Sequence, residues 1–116
     1  MSRKSPKEKT FEVTVPAEFR EYYRSLNEGE EMKKSIDSLV ESLERAPLKA
    51  GAFVPKDRWP EEYKRMWLGN VYKANLTKGA RISYTVILNR DGSGIVRVID
   101  FFQTHKDYAK KFGYDV

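Results

Sequence analysis

The stretch from Val71 to Tyr108 limits what this chain can fold into more than any other part, because it carries three strand patterns in succession followed by a helix start. Side chains alternate faces along a strand, so Tyr72, Ala74 and Leu76 share one face while Lys73 and Asn75 share the other. In the next strand Ile82, Tyr84, Val86 and Leu88 form the apolar set, leaving Arg81, Ser83 and Thr85 opposite. The pattern therefore predicts a hairpin with one core face and one open face, on which Lys73 and Arg81 meet. Thr77-Lys78-Gly79-Ala80 joins these two strands, and Asn89 to Gly94, with its Asp-Gly pair, joins the second to the third. The third, Ile95 to Phe102, is apolar on both faces apart from Arg97 and Asp100, as expected for a central strand covered on both sides. Thr104 with Asp107 three residues on is close to a capping box, which predicts a helix starting there. That start places His105 and Lys106 at a positive helix end, with Tyr108 one turn along from His105.

Upstream, Met1 to Lys9 reads as a flexible basic arm, and residues 10–116 as one domain. Thr10 to Val15 alternates like a short strand and stops at Pro16, which opens a first helix with Phe19, Tyr22, Tyr23 and Leu26 on one stripe. A second helix, from about Glu30 to Ala46, carries Met32, Ile36, Leu39, Val40 and Leu43 on one face and is stopped by Pro47. Two amphipathic helices joined by a few residues make a hairpin whose apolar face needs a sheet. The expected fold is α+β: an N-terminal strand and a two-helix hairpin packed on an antiparallel sheet, with a short C-terminal helix. In the connection between, Pro60 to Trp67 reads as two helical turns with Tyr63, Met66 and Trp67 turned inward. The two tryptophans fit base stacking or, more plainly, plugs at the sheet edge.

Charge narrows the function classes. Residues 1–50 hold ten basic and ten acidic side chains, whereas residues 51–116 hold twelve and seven, so the whole formal excess of +5 lies in the second half. A basic surface of that kind suits a polyanion, although a solvated lysine-rich surface gives the same count. The absence of cysteine excludes thiolate chemistry and disulfides; with one histidine, a zinc site has too few ligands and no cofactor is expected. No apolar run is long enough to span a membrane, and the charged N-terminus is unlike a signal peptide, so a cytoplasmic location is expected.

The order β, α, α, β, β, β, short α, together with Val71-Tyr72-Lys73-Ala74-Asn75-Leu76, Gly79-Ala80-Arg81-Ile82-Ser83-Tyr84-Thr85-Val86 and Thr104-His105-Lys106-Asp107-Tyr108, resembles the RelE/ParE superfamily of toxin-antitoxin toxins. The last run is similar to the ending of HigB-type members. The resemblance covers about residues 10–114 and implies a small, metal-free endoribonuclease that cuts messenger RNA on the ribosome through attack of a ribose 2′-hydroxyl. It implies catalytic roles for Lys73, Arg81, His105 and Tyr108, and, with the basic surface, RNA contacts for Lys64, Arg65, Asn75, Lys78 and Lys106. Asn75 stands where many members carry a second lysine. Expected partners are messenger RNA on the ribosome and an acidic antitoxin, the chain being a monomer alone or a heteromer with that antitoxin. The superfamily also contains ParE-like inhibitors of DNA gyrase, and the fold also suits a non-catalytic RNA- or protein-binding member, so fold alone leaves three functions open.

Overall fold

The computed structural model describes residues 10–113; the predicted arm at 1–9 lies outside them. The elements, in order, are β1 (Phe11–Thr14), α1 (Ala17–Ser25), α2 (Glu31–Arg45), α3 (Pro47–Ala50), β2 (Ala52–Phe53), α4 (Glu61–Lys64), β3 (Tyr72–Asn75), β4 (Arg81–Leu88), β5 (Gly94–Phe102) and α5 (His105–Phe112). The class is α+β, as the sequence predicts. Five strands form one sheet in the order β1-β5-β4-β3-β2. It is not wholly antiparallel: β1 lies parallel to β5, pairing Phe11 with Gly94 and Thr14 with Arg97. The helical hairpin between β1 and the rest supplies the long crossover a parallel pair needs.

Local chemistry explains the central hairpins. Lys78 and Gly79 both have positive φ, 58° and 80°, at the centre of the tight turn that Ala80 N–H closes on the Thr77 carbonyl between β3 and β4. The β4–β5 loop closes with Asn89 N–H donating to the Ser93 carbonyl and Gly92 at a φ of 90°. Near the far end, Ser83 pairs with Asp100 but Tyr84 with Val98, so Ile99 is an extra residue in β5. That bulge re-aims Asp100 and Phe102.

On one face of the sheet, α1 and α2 cover Ile82, Tyr84, Val86, Val96 and Val98 with Phe19, Ile36 and Leu43, as the helical periodicity predicts. Thr10 N–H donates to the Glu44 carbonyl, while Thr77 donates through its amide to Ser35 Oγ and through its hydroxyl to Glu31. These contacts lay α2 along the sheet from the β3–β4 turn to the start of β1.

The other face corrects the sequence reading. It is predicted to be open, but Ser83 and Thr85 are 0% and 3% exposed. Val54, Trp59 and Tyr63 from the connection, with Tyr108 and Phe112 from α5, cover it with a second apolar cluster that includes Val71 and Phe102. Short segments of irregular backbone do this, which is why periodicity does not reveal it. The predicted helix at 60–67 shrinks to Glu61–Lys64, and Trp67, expected inward, is 97% exposed at a φ of 57°. Trp59 does plug the sheet, with its indole N–H donating to the Val54 carbonyl at 2.9 Å.

Candidate functional site

Strand alternation and the β3–β4 register bring the predicted cations together. Lys73 stands opposite Ser83, and Asn75 opposite Arg81, so Lys73 and Arg81 are diagonal neighbours on one face. The ring of Tyr108 lies against both: the Arg81 guanidinium carbon is 4.9 Å from its centroid and Lys73 Nζ is 5.4 Å away. Tyr108 is fully buried and held by Phe102 at 5.4 Å and Phe112 at 4.5 Å, which makes it a fixed aromatic floor. Cations over a ring face are attracted by its quadrupole, worth about 0.5–1 kcal/mol each where partly exposed.

Neither Lys73 nor Arg81 forms an ion pair with a carboxylate among the described residues. Both are only partly exposed. Burial, and then the charge of Arg81, hold the Lys73 ammonium below the usual lysine range. Two adjacent cations with no carboxylate partner among the described residues repel one another, and an anion beside them relieves that repulsion.

Beside them is a polar cluster that sequence reading misses. Asp100 N–H donates to Ser83 Oγ at 3.2 Å, and Tyr63 O–H donates to Asp100 Oδ2 at 2.5 Å. Tyr63 Oη and Ser83 Oγ are 2.6 Å apart. Because a carboxylate only accepts, the Tyr63 proton goes to Asp100, and Ser83 donates to Tyr63, closing a directed ring of hydrogen bonds. Burial and the bond to Asp100 push the Tyr63 hydroxyl well above its ordinary pKa. Ser83 is the cross-strand partner of both Lys73 and Asp100, so this ring fixes the backbone on which Lys73 stands. The only trace in the sequence is the acidic Asp100 in a strand that is apolar but for it and Arg97.

The remaining predicted residues surround this centre unevenly. The Thr104 hydroxyl accepts from Asp107 N–H at 3.0 Å, as the capping pattern predicts, and starts α5 at His105. His105 is exposed and borders the β3–β4 turn, where a Cβ on Gly79 would sit 3.8 Å from the His105 amide. Lys78, Lys106 and Asn75 are exposed around that turn and strand end. Lys64 and Arg65 are exposed on the second layer at the end of α4, with Lys64 paired to Glu61 at 3.2 Å. Tyr108 and His105 occupy one turn of α5, but only His105 reaches solvent. Among the described residues no three His, Asp or Glu side chains gather as metal ligands would. No helix among them is long and apolar enough to cross a membrane.

Comparison of the chain with protein-family models, with curated proteins and with solved structures returns no match.

Proposed function

We propose that this protein is a toxin of the RelE/ParE kind that cleaves messenger RNA on the ribosome without a metal ion. The observation that carries the reading is the pair of counterion-free cations, Lys73 and Arg81, held on the Tyr108 ring. In the proposed reaction a ribose 2′-oxygen attacks the adjacent phosphorus. Its proton passes to a base, the bond from phosphorus to the 5′-oxygen breaks, and that oxygen takes a proton from an acid, leaving a 2′,3′-cyclic phosphate and a 5′-hydroxyl. Arg81 stabilises the charge that builds on the non-bridging oxygens. The downward shift of Lys73 enlarges its neutral fraction, the direction a proton acceptor needs. His105 is the solvent-reaching acid, and Lys78, Lys106, Asn75, Lys64 and Arg65 guide the RNA backbone.

Tyr108 has a different part from the one its sequence position implies. Its burial makes it the floor for the cations, with proton transfer left to Lys73 and His105. That same burial, with Asn75 in place of a second lysine, favours a second reading in which the protein binds without cutting, either as a ParE-like gyrase inhibitor or as an RNA-binding member of the fold. Under both toxin readings an acidic antitoxin covers the basic surface, and co-purification from the native host tests for it.

Arg81→Ala separates the readings. Removing one donor to a developing charge costs about 100- to 1000-fold in rate. The variant is expected to fold normally, bind ribosomes with modest loss and no longer inhibit growth or cut messenger RNA. Full toxicity in a folded Arg81→Ala protein, with DNA breaks in place of cut messenger RNA, moves the gyrase reading to first place.

A further inference from the structure

Lys73 also lines a second recess, at the edge of the sheet. Strand β2 covers β3 only where Ala52 pairs with Lys73 and Phe53 with Tyr72. Where the chain turns from α3 into β2 it leaves a cavity of about 320 Å³ beside Ala74 and Asn75. Its polar lining residues are Lys49, Lys73 and Asn75; the rest of the wall is Ala50, Gly51, Ala52 and Ala74, with no acidic residue among the described residues.

This recess has a rigid wall. The Tyr84 hydroxyl, buried beneath the sheet, donates to the Pro47 carbonyl at 2.7 Å and pins the first residue of α3. At the other end Gly51 lies so close to β3 that a Cβ there would stand 2.2 Å from the Lys73 carbonyl oxygen and 2.7 Å from Tyr84 Oη. Only glycine fits this approach, which brings the end of α3 against the backbone of β3 at Lys73. Lys49 has no ion pair with a carboxylate among the described residues. Lys73 thus belongs both to the pair with Arg81 on the Tyr108 ring and, with Lys49 of α3, to the lining of this edge recess.

We infer that Lys49, Lys73 and Asn75 form a second phosphate subsite, which takes the phosphodiester next to the one held by Arg81 and Lys73 in a single strand of RNA. The inference rests on the RNA reading above. Lysine ammonium groups serve phosphate as compact point charges, and the Asn75 carboxamide supplies both a donor and an acceptor for a phosphate oxygen and a ribose hydroxyl. The reacting phosphate lies at Arg81, so Lys49 contributes affinity and alignment.

The test measures binding of a fluorescent eight-nucleotide single-stranded RNA to the full chain as a function of salt, for the parent, Lys49→Ala, Lys73→Ala and Lys34→Ala. Lys34 is an exposed lysine of α2 and controls for lost charge. Each phosphate contact on a single strand contributes about 0.7 to the slope of log K against log salt. Lys49→Ala is expected to weaken binding and flatten the slope by about that amount, with Lys34→Ala unchanged. If Lys73→Ala flattens the slope while Lys49→Ala matches the parent, the subsite is wrong and the RNA reading stands. If Lys49→Ala and Lys34→Ala flatten it equally, the recess is only part of a diffuse field and the subsite is again overturned. If the parent does not bind the RNA, or Lys73→Ala binds as the parent does, both fall together.

Discussion

The two faces of the sheet are built differently. The face under α1 and α2 is an apolar layer in which Ile36, Leu43, Ile82 and Val86 interlock, with the Tyr84 hydroxyl satisfied by a backbone carbonyl. The opposite face holds aromatic rings together with a hydrogen-bonded Tyr63–Ser83–Asp100 ring and two cations without a carboxylate partner. A layer of apolar side chains is stabilised by burial alone and tolerates exchange of similar shapes. A buried polar cluster contributes only while every member keeps its partner. The first face specifies the fold, and the second spends stability on holding charge in place.

The largest expected effect comes from breaking the apolar face. Leu43 is fully buried, and Leu43→Ala is expected to cost about 3 kcal/mol through lost transfer energy and the cavity left behind. Urea unfolding measures it. At temperatures where the variant stays folded, the proposed RNA binding should match the parent's, because α2 supplies none of the cations that meet on the far face. A variant that is stable but fails to bind RNA removes the division of labour between the faces.

Breaking the polar ring should cost less stability and more function. Tyr63→Phe leaves the part-buried Asp100 without its donor, a loss expected to cost about 1 kcal/mol, the low end of the range for a stranded buried acceptor. Asp100→Asn alone is expected to cost a similar amount, and the double substitution less than the two together, by a coupling of about 1 kcal/mol in a double-mutant cycle. Alkali provides a second readout. Burial and the bond to Asp100 hold the Tyr63 pKa above its ordinary value of 10.0, so the folded state holds the proton that the unfolded chain releases. Stability from this group is complete below pH 10.0 and falls as the pH rises beyond it, and Tyr63→Phe should remove that share of the alkaline loss. Additive effects and an unchanged alkaline slope show that the ring is absent in solution.

This contrast also sets how much the sequence reveals. The helical layer is legible because 15 residues of α2 repeat one apolar stripe and the central strands alternate cleanly. The cap at Thr104, both hairpin turns and the shared face of Lys73 and Arg81 follow from rules that act within a few residues. The second layer is legible only in part: Tyr63 and Met66 turned inward and a tryptophan plug are read from the sequence, but the covering of the Ser83 and Thr85 face is not. Its anchors, Val54, Trp59, Tyr63 and Phe112, come from segments too short for a period to emerge, and Tyr63 meets Asp100 across 37 positions. The bulge at Ile99 escapes for a related reason: one inserted residue changes which neighbours face each other without altering composition. Parallel pairing of β1 and the close approach of Gly51 to β3 are likewise decided by tertiary packing.

Lys73→Met sharpens the comparison from the other side, because it removes charge while keeping the length of the side chain. The folded protein disfavours the protonated form of Lys73, so at neutral pH the lysine costs stability that methionine does not. Loss of the contact with the Tyr108 ring offsets this, and the net change at neutral pH is expected within about 0.5 kcal/mol, with RNA affinity clearly reduced. The pH dependence carries the sign. Between the lowered folded pKa and the ordinary lysine value of 10.5 the unfolded chain binds more protons, so the parent gains stability as pH rises through that window. The methionine variant lacks the gain, and any advantage it has over the parent should disappear above pH 10.5. A gap that widens with pH shows that Lys73 is favoured as a cation by a carboxylate in solution.

The smallest expected change separates the two tryptophans of the second layer. Trp59 is buried with its indole N–H bonded, whereas Trp67 shows 97% of its surface and sits at a φ of 57°. A bulky side chain in that backbone region carries strain of about 1–3 kcal/mol, and an exposed ring returns almost no burial energy. Asparagine tolerates the region better, and glycine tolerates it freely while adding entropy to the unfolded chain. Trp67→Asn is therefore expected to stabilise the protein by about 0.5 kcal/mol, and Trp67→Gly by no more than that. Trp59→Phe, in contrast, strands the Val54 carbonyl and should lose about 1 kcal/mol. Thermal unfolding of the three variants ranks them. A loss of more than about 1 kcal/mol in Trp67→Asn shows that the indole packs against the protein in solution and that the strain of its backbone is compensated there.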